Sequence, residues 1–389
     1  MKPLVLHEFH QGLGARFAEL SGAEVVRDYG DWLAEYGALR ESAGVIDLSF
    51  RSRICLVGAD RARFLHGQVT NEVKRLVVGQ GCYAAITTAK GRLESDVSIL
   101  ALADELLLDF EPGLTEKISQ RLERFIVADD VQIVDAAPHY GLLSVQGPKA
   151  ADVVRALGLF ANLPAPPLGS MKISDETLGE IYLANHGRLV TERRAPSRPE
   201  SKNELPIAGT VPGAPTGFEL FVPNNSLGAV ADKLIAAAKQ IGGRAVGWQA
   251  SEVARNEAGI PRFGADMDGT NLPLECGPAL SDRAIVYNKG CYIGQEVINR
   301  IHSVGHVNRE LRGLRLADDL KSLPARGDKL FHGGKEVGYV TSAVRSPSLD
   351  ANIALGYVRR EANKIGIELT LLTAAGESPV KIVPLPFEK

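Results

Sequence analysis

Apolar positions recur along this chain in two periods, one helical and one of short runs, and the change between them divides it. Residues 13–20 carry apolar side chains at helical spacing, and Ser21-Gly22 can end that helix. A second helix is expected over about 30–43, with Trp32, Leu33, Tyr36 and Leu39 near one face and Gly44 as its stop. Strand-like runs follow at 53–57, 79–88, 93–100 and 106–110, then an amphipathic helix at 113–125. Two more strands are expected at 131–134 and 140–145, and Pro148 opens a helix that runs to 156. Further on come a strand at 218–222, a helix at 227–241 stopped by Gly242-Gly243, a short strand at 244–246 and a helix at 250–257. From Leu311 the pattern changes. Short apolar runs at 314–316, 329–331, 337–342, 353–358, 368–372 and 380–383 are separated by Gly and Pro turns, with Gly333-Gly334 as a hairpin signal. Strands at that spacing predict a small β-barrel or sandwich. Two stretches fit neither period. Residues 191–215 hold five prolines and few large apolar side chains, and are expected to form a long surface loop. Residues 287–312 are polar and basic, and no simple strand or helix pattern explains them.

At 389 residues the chain exceeds one ordinary core and suggests two or three domains. Its 45% hydrophobic and 23% charged content is that of a soluble globular protein. A net charge of -3 gives no general electrostatic case for nucleic acid or membrane as a partner. No apolar stretch is long enough to span a bilayer, and the first residues lack the apolar core of a signal peptide, so a cytoplasmic location is expected. The four cysteines, Cys55, Cys82, Cys276 and Cys291, include no C-x-x-C pair and no histidine at zinc-finger spacing. Neither a self-contained metal cage nor a disulfide framework is expected. Cys55 reads as a small buried hydrophobe among Ile54, Leu56 and Val57.

The densest chemistry lies in Lys289-Gly290-Cys291-Tyr292-Ile293-Gly294-Gln295-Glu296. Two glycines bracket a thiol, which suggests a sharply bent backbone, and a neighbouring lysine can favour the thiolate. This octapeptide resembles the K-G-C-Y/F-x-G-Q-E signature of the YgfZ family. Those are folate-binding proteins tied to iron–sulfur cluster assembly and related to the glycine-cleavage T-protein, the aminomethyltransferase. Looser phrases agree with that superfamily: Gly44-Val45-Ile46-Asp47-Leu48-Ser49, Phe64-Leu65-His66-Gly67 with Thr70-Asn71, Lys90-Gly91-Arg92-Leu93, Gln146-Gly147-Pro148-Lys149-Ala150 and Arg255-Asn256-Glu257-Ala258-Gly259-Ile260-Pro261. The resemblance implies an α+β fold: a mixed α/β folate-binding body of two halves in residues 1–310 and a C-terminal β-barrel in residues 311–389. It also implies tetrahydrofolate or a one-carbon derivative as cofactor.

Glu219 is the acid to single out. In strand 218–222 it shares a face with Phe221, while Phe218 and Leu220 share the other. Pattern alone makes it an exposed glutamate on a half-solvated strand. The resemblance makes it the paired acceptor for the pterin N–H groups. By the same resemblance Arg255 and Arg309 are candidates for the folate carboxylates, and Asn71 and Tyr83 for further folate contacts. Arg255 can instead pair with Glu257 or another acid.

Function forks at Gly91-Arg92-Leu93-Glu94-Ser95-Asp96, where the T-protein branch carries G-G-x-x-D-D. Ser95 stands at the first acid and Asp96 at the second, and in a regular strand they face opposite sides. One reading is a folate-dependent accessory factor for iron–sulfur cluster assembly or repair. Cys291 is then its reactive or transient ligand group, Lys289 favours the thiolate, and a partner protein, from the assembly machinery or a client, or a small thiol completes any cluster ligation. The signature favours this reading. The alternative is a tetrahydrofolate-dependent aminomethyltransferase or demethylase, which needs a carboxylate, here Asp96, near the folate amine.

Overall fold

The computed structural model describes residues 1–189 and 217–388. The proline-rich stretch expected to be a surface loop, 191–215, lies outside the described residues. The chain folds as two compact units. The first comprises Met1–Arg61, Arg75–Cys82 and Ser98–Ser251, and the second Ala62–Lys74, Tyr83–Val97 and Glu252–Lys389.

In the first unit, Leu227, Val230, Ala231, Leu234, Ile235 and Ala238 recur at three- and four-residue steps and put one apolar stripe on the helix Leu227–Gln240. That stripe packs into a core with Phe218, Leu220 and Val222 of the strand Gly217–Pro223 and with Leu143 and Val145 of Tyr140–Gln146. These strands belong to a sheet ordered Ser170–Asp175, Gly179–Asn185, Gly217–Pro223, Tyr140–Gln146, Gly44–Asp47 and Arg244–Ala245. The alternation read from the sequence holds. Phe218 and Leu220 face the core, and Glu219 points to the other side, between Ser144 and Ala184 on the neighbouring strands. Within the same unit, residues 98–101 pair with the strand Glu105–Phe110, which pairs in turn with Ser52–Val57.

The helix expected over 13–20 does not form. Arg16–Leu20 is a strand that pairs antiparallel with Ala23–Asp28. Ser21 and Gly22, taken as a helix stop, are the two turn residues of this hairpin, with φ of 51° and 81°. Positive φ at both central positions is what a tight two-residue hairpin needs. The helix lies earlier, at His7–Gly12.

The second unit contains a closed barrel ordered Arg309–Leu316, Ala351–Arg359, Lys335–Ser346, Lys329–His332, Glu368–Thr373 and Gly376–Val383. Each of the six apolar runs read from the sequence lies in one of these strands. Leu314, Leu330, Val340, Val358, Leu371 and Ile382 are fully buried in the barrel core. The 287–312 stretch, which matched no pattern, contains the helix Gln295–Val304, with Ile298 as its buried anchor. The fold is thus a mixed α/β body with a closed six-stranded C-terminal β-barrel, as expected. Among the described residues no helix is long and apolar enough to cross a membrane.

Candidate functional site

Burying a carboxylate is costly unless donors surround it. Glu219, in the first unit, is 1% exposed and meets that requirement. Arg188 grips both of its oxygens, Nε on Oε1 and Nη2 on Oε2 at 3.0 Å. His186 Nδ1 lies 3.0 Å from Oε2 and, facing an acceptor-only group, carries the proton. Arg188 also donates from Nη2 to Asp109 at 2.6 Å. Asp109 in turn accepts from Arg51 Nε at 3.0 and 3.1 Å, and Arg51 reaches Glu111. Burial raises the pKa of Glu219, but Arg188 and then His186 overcome it and hold it down at about 2, against an ordinary 4.5. The group is therefore anionic in the folded protein at neutral pH.

That shift sets a sign for acid stability. A carboxylate with a depressed folded pKa contributes stability above its unfolded pKa, and loses it as pH falls through the folded value. Thermal melts between pH 7 and pH 2 should show a loss that sets in below about 4.5. Glu219→Gln should remove part of that dependence, and an unchanged profile in the variant would rule Glu219 out as a source.

Tyr83, Asn71 and Asp96 come together within the second unit. Tyr83 Oη donates to Asp96 Oδ2 at 2.7 Å. Asn71 Nδ2 donates to the carbonyls of Tyr83 at 2.7 Å and Arg283 at 2.9 Å, which fixes the backbone behind the ring. The Arg283 guanidinium lies over the Tyr83 ring, 5.1 Å from its centroid. Burial, followed by the Asp96 charge, raises the Tyr83 pKa well above its ordinary value, so the phenol stays a donor. Ser95 is fully buried, and its hydroxyl turns to the Asp96 carbonyl at 2.7 Å. Asp96 is therefore the member of the fork that meets the tyrosine. Arg283 was missed in the sequence because a lone arginine six residues before the signature has no local pattern.

The octapeptide acts locally as a clasp in the second unit. Lys289 Nζ donates to the carbonyls of His66 and of Val69, the latter at 2.8 Å, at the C-terminal end of the helix Arg61–Gln68. Cations are favoured at helix C-termini, where carbonyls lack partners. His66 Nε2 donates back to the Lys289 carbonyl at 2.8 Å, and the Ile293 N–H donates to the Gly67 carbonyl at 3.2 Å. The Lys289 ammonium also lies 4.7 Å from the Tyr292 ring centroid. Cys291 is exposed. Gly294 has φ +89°, and a Cβ there would come within 2.6 Å of Thr87 Oγ1 and the Thr88 carbonyl. Gly294→Ala is expected to destabilise the protein by about 1–3 kcal/mol, the usual cost of a strained left-handed residue. Urea denaturation of the full chain checks this, and a loss below about 0.5 kcal/mol would contradict the strain argument.

Two arginines proposed for the folate tail are engaged elsewhere in the second unit. Arg255 is 5% exposed and donates to Asp266 at 2.6 Å, to Glu252 at 2.9 and 3.0 Å and to the Ile260 carbonyl at 2.6 Å. Glu257 instead accepts from Ser346 and Ser348. Arg309 donates to Glu275, to the Thr270 carbonyl and to Tyr339 Oη, and lies over the rings of Tyr339 and Tyr357.

The sequence profile of the GCVT N-terminal domain matches residues 6–183 and 214–281. That of the glycine cleavage T-protein C-terminal barrel domain matches 309–389. The chain belongs to the glycine cleavage T-protein family. It is 27% identical over 393 residues to an aminomethyltransferase of Symbiobacterium thermophilum, covering 100% of this chain and 97% of that protein. It is 29% identical over 382 residues to an aminomethyltransferase of Rubrobacter xylanophilus, covering 98% and 93%. The crystal structure of glycine cleavage system aminomethyltransferase T from Bartonella henselae superposes with a TM-score of 0.82 at 24% identity, covering 100% of this chain and 98% of that one, which shows the shared fold. For this T-protein-family chain the iron–sulfur reading is overturned. The relatives that match along its whole length are named aminomethyltransferases, and nothing in these comparisons points to iron–sulfur assembly or its client proteins. Lys289, invoked to favour a Cys291 thiolate, gives its ammonium protons to backbone carbonyls.

Proposed function

We propose that the protein is a tetrahydrofolate-dependent one-carbon transferase of the aminomethyltransferase type. The observation that carries this reading is the Asp96–Tyr83 pair. The T-protein branch needs an acid at this turn, and the chain keeps the second of the two. Its strand gives Asp96 a phenol partner and leaves Ser95 buried. A carboxylate whose Oδ2 is held by a phenol is oriented, and can take a proton from an amine placed against it. Tetrahydrofolate supplies that amine as the acceptor of the carbon unit. Asn71 and Arg283 fix the tyrosine from behind and above. In the first unit, Glu219 is the acid for the pterin edge: it is buried, ionised and set on a strand paired on both sides. The Arg255 and Arg309 networks support a structural role for both residues.

The test has two parts. Tetrahydrofolate is titrated into the protein, following tryptophan and tyrosine fluorescence. The protein is then incubated with tetrahydrofolate and an aminomethyl donor carried on a thiol, and ammonia is measured. Transfer of the carbon to the folate releases ammonia and the free thiol. Saturable binding with folate-dependent ammonia release is the expected result. Absence of tetrahydrofolate binding would overturn the reading.

A further inference from the structure

Glu219 is already occupied, and by a group that resembles the ligand assigned to it. The pyrimidinone edge of a reduced pterin offers a carboxylate two parallel N–H donors, from the ring N3 and the 2-amino group. A guanidinium presents the same pair side-on. Arg188 does so here, with Nε on one Glu219 oxygen and Nη2 on the other.

We propose that Arg188 is an internal stand-in for the pterin, a latch that holds the Glu219 carboxylate until a ligand with the same two-donor edge displaces it. This rests on Glu219 being the pterin acceptor. The surroundings suit an exchange. Nη2 of Arg188 is also bound to Asp109 at 2.6 Å, so the guanidinium keeps one carboxylate when it gives up the other. Asp109 is further held by Arg51, and Glu111 by the same arginine, so the cluster stays paired after the exchange. His186 remains on Oε2 throughout and keeps the glutamate oriented.

Two consequences follow from the geometry. The buried acid is never left without hydrogen-bond donors, because the pterin edge brings two N–H groups as Arg188 lets go and His186 stays on Oε2. The site also acquires a selectivity filter. Only a ligand with two adjacent N–H donors replaces what Arg188 provides, and an analogue lacking the 2-amino group would leave one oxygen without its donor. The latch lowers the apparent affinity by the fraction of molecules in which Arg188 has let go.

The experiment is a calorimetric titration at pH 8 of wild type, Arg188→Met, Arg188→Lys and Glu219→Gln. The ligands are tetrahydrofolate and 6-methyltetrahydropterin, the second being the headpiece without the tail. Arg188→Met is expected to bind both ligands about tenfold tighter or more, the gain for a latch closed in about nine molecules of ten. Arg188→Lys keeps the charge but not the fork, so it should tighten binding less, and it covers the case in which the methionine variant does not fold. Glu219→Gln should lose binding of both. Folded Arg188 variants that bind as wild type or more weakly would overturn the latch while leaving the pterin site standing. A gain seen with tetrahydrofolate and absent with the headpiece would also overturn it, since Arg188 would then act on the tail. If Glu219→Gln binds both ligands as wild type does, the pterin assignment falls and the latch with it.

Discussion

Asp96→Asn is expected to lower folate-dependent ammonia release by about 10²–10⁴-fold, the usual contribution of a positioned general base. Asparagine keeps the shape of the side chain, and its carbonyl oxygen can still accept from the Tyr83 hydroxyl, so the strand should be undisturbed. What is lost is the charge that attracts a developing ammonium and the basicity that removes its proton. The loss should therefore appear in kcat, with tetrahydrofolate affinity changed by less than about threefold. Tyr83→Phe separates the two roles of the pair. It removes the donor that orients Asp96 and keeps the carboxylate, so its effect should be smaller than that of Asp96→Asn. Asp96→Asn protein that turns over within about threefold of wild type would remove Asp96 from the chemistry. A kcat that falls together with folate affinity would assign the residue to binding.

The fold was legible where a single period governs a segment. The barrel runs after Leu311 alternate between turns and became strands one for one, because each buries its apolar positions in one closed core. The helix Leu227–Gln240 was legible for the same reason. Reading failed where local signals had two meanings. Ser21-Gly22 ends a helix as readily as it turns a hairpin, and only the partner strand Ala23–Asp28 decides. The helix Gln295–Val304 was hidden by its polar face, since only Ile298 is fully buried. Of the candidate site, Glu219 and Asp96 could be singled out because family phrases mark them. Arg188 and His186 could not be found. They lie in His186-Gly187-Arg188, a tripeptide with no pattern, and their meaning comes from the sheet pairing that sets the strand Gly179–Asn185 beside Gly217–Pro223. The signature misled for a related reason. Its glycines and lysine look like apparatus for a reactive thiol, and the fold uses them to close a helix end and admit a tight backbone approach.

Asp266→Ala should be the most destabilising single change in the second unit, at about 3–5 kcal/mol, because it strips a buried arginine of the closer and more deeply buried of its two counter-charges. Asp266 is 1% exposed and accepts four hydrogen bonds: from Arg255 at 2.6 Å, Thr341 at 2.6 Å, Ser342 at 2.6 Å and the Arg262 N–H at 3.1 Å. Burial raises its pKa, but Arg255 and the two hydroxyls overcome that and leave it below the ordinary value, so it enters the folded state as an anion. Alanine removes all four acceptor contacts. Arg255 would keep Glu252, itself only partly buried, and the Ile260 carbonyl. Thr341 Oγ1 would keep the Leu355 carbonyl at 3.1 Å, while Ser342 would lose its acid partner. Replacing both charges, as Asp266→Leu with Arg255→Leu, should cost less than the sum of the single changes, since neither leaves a lone charge behind. Urea denaturation of the full chain measures each variant, and the coupling follows from the double-mutant cycle. Single losses that simply add would mean that the two residues are not a unit. A loss below about 1 kcal/mol for Asp266→Ala would mean that water reaches the network and takes over the contacts of the acid.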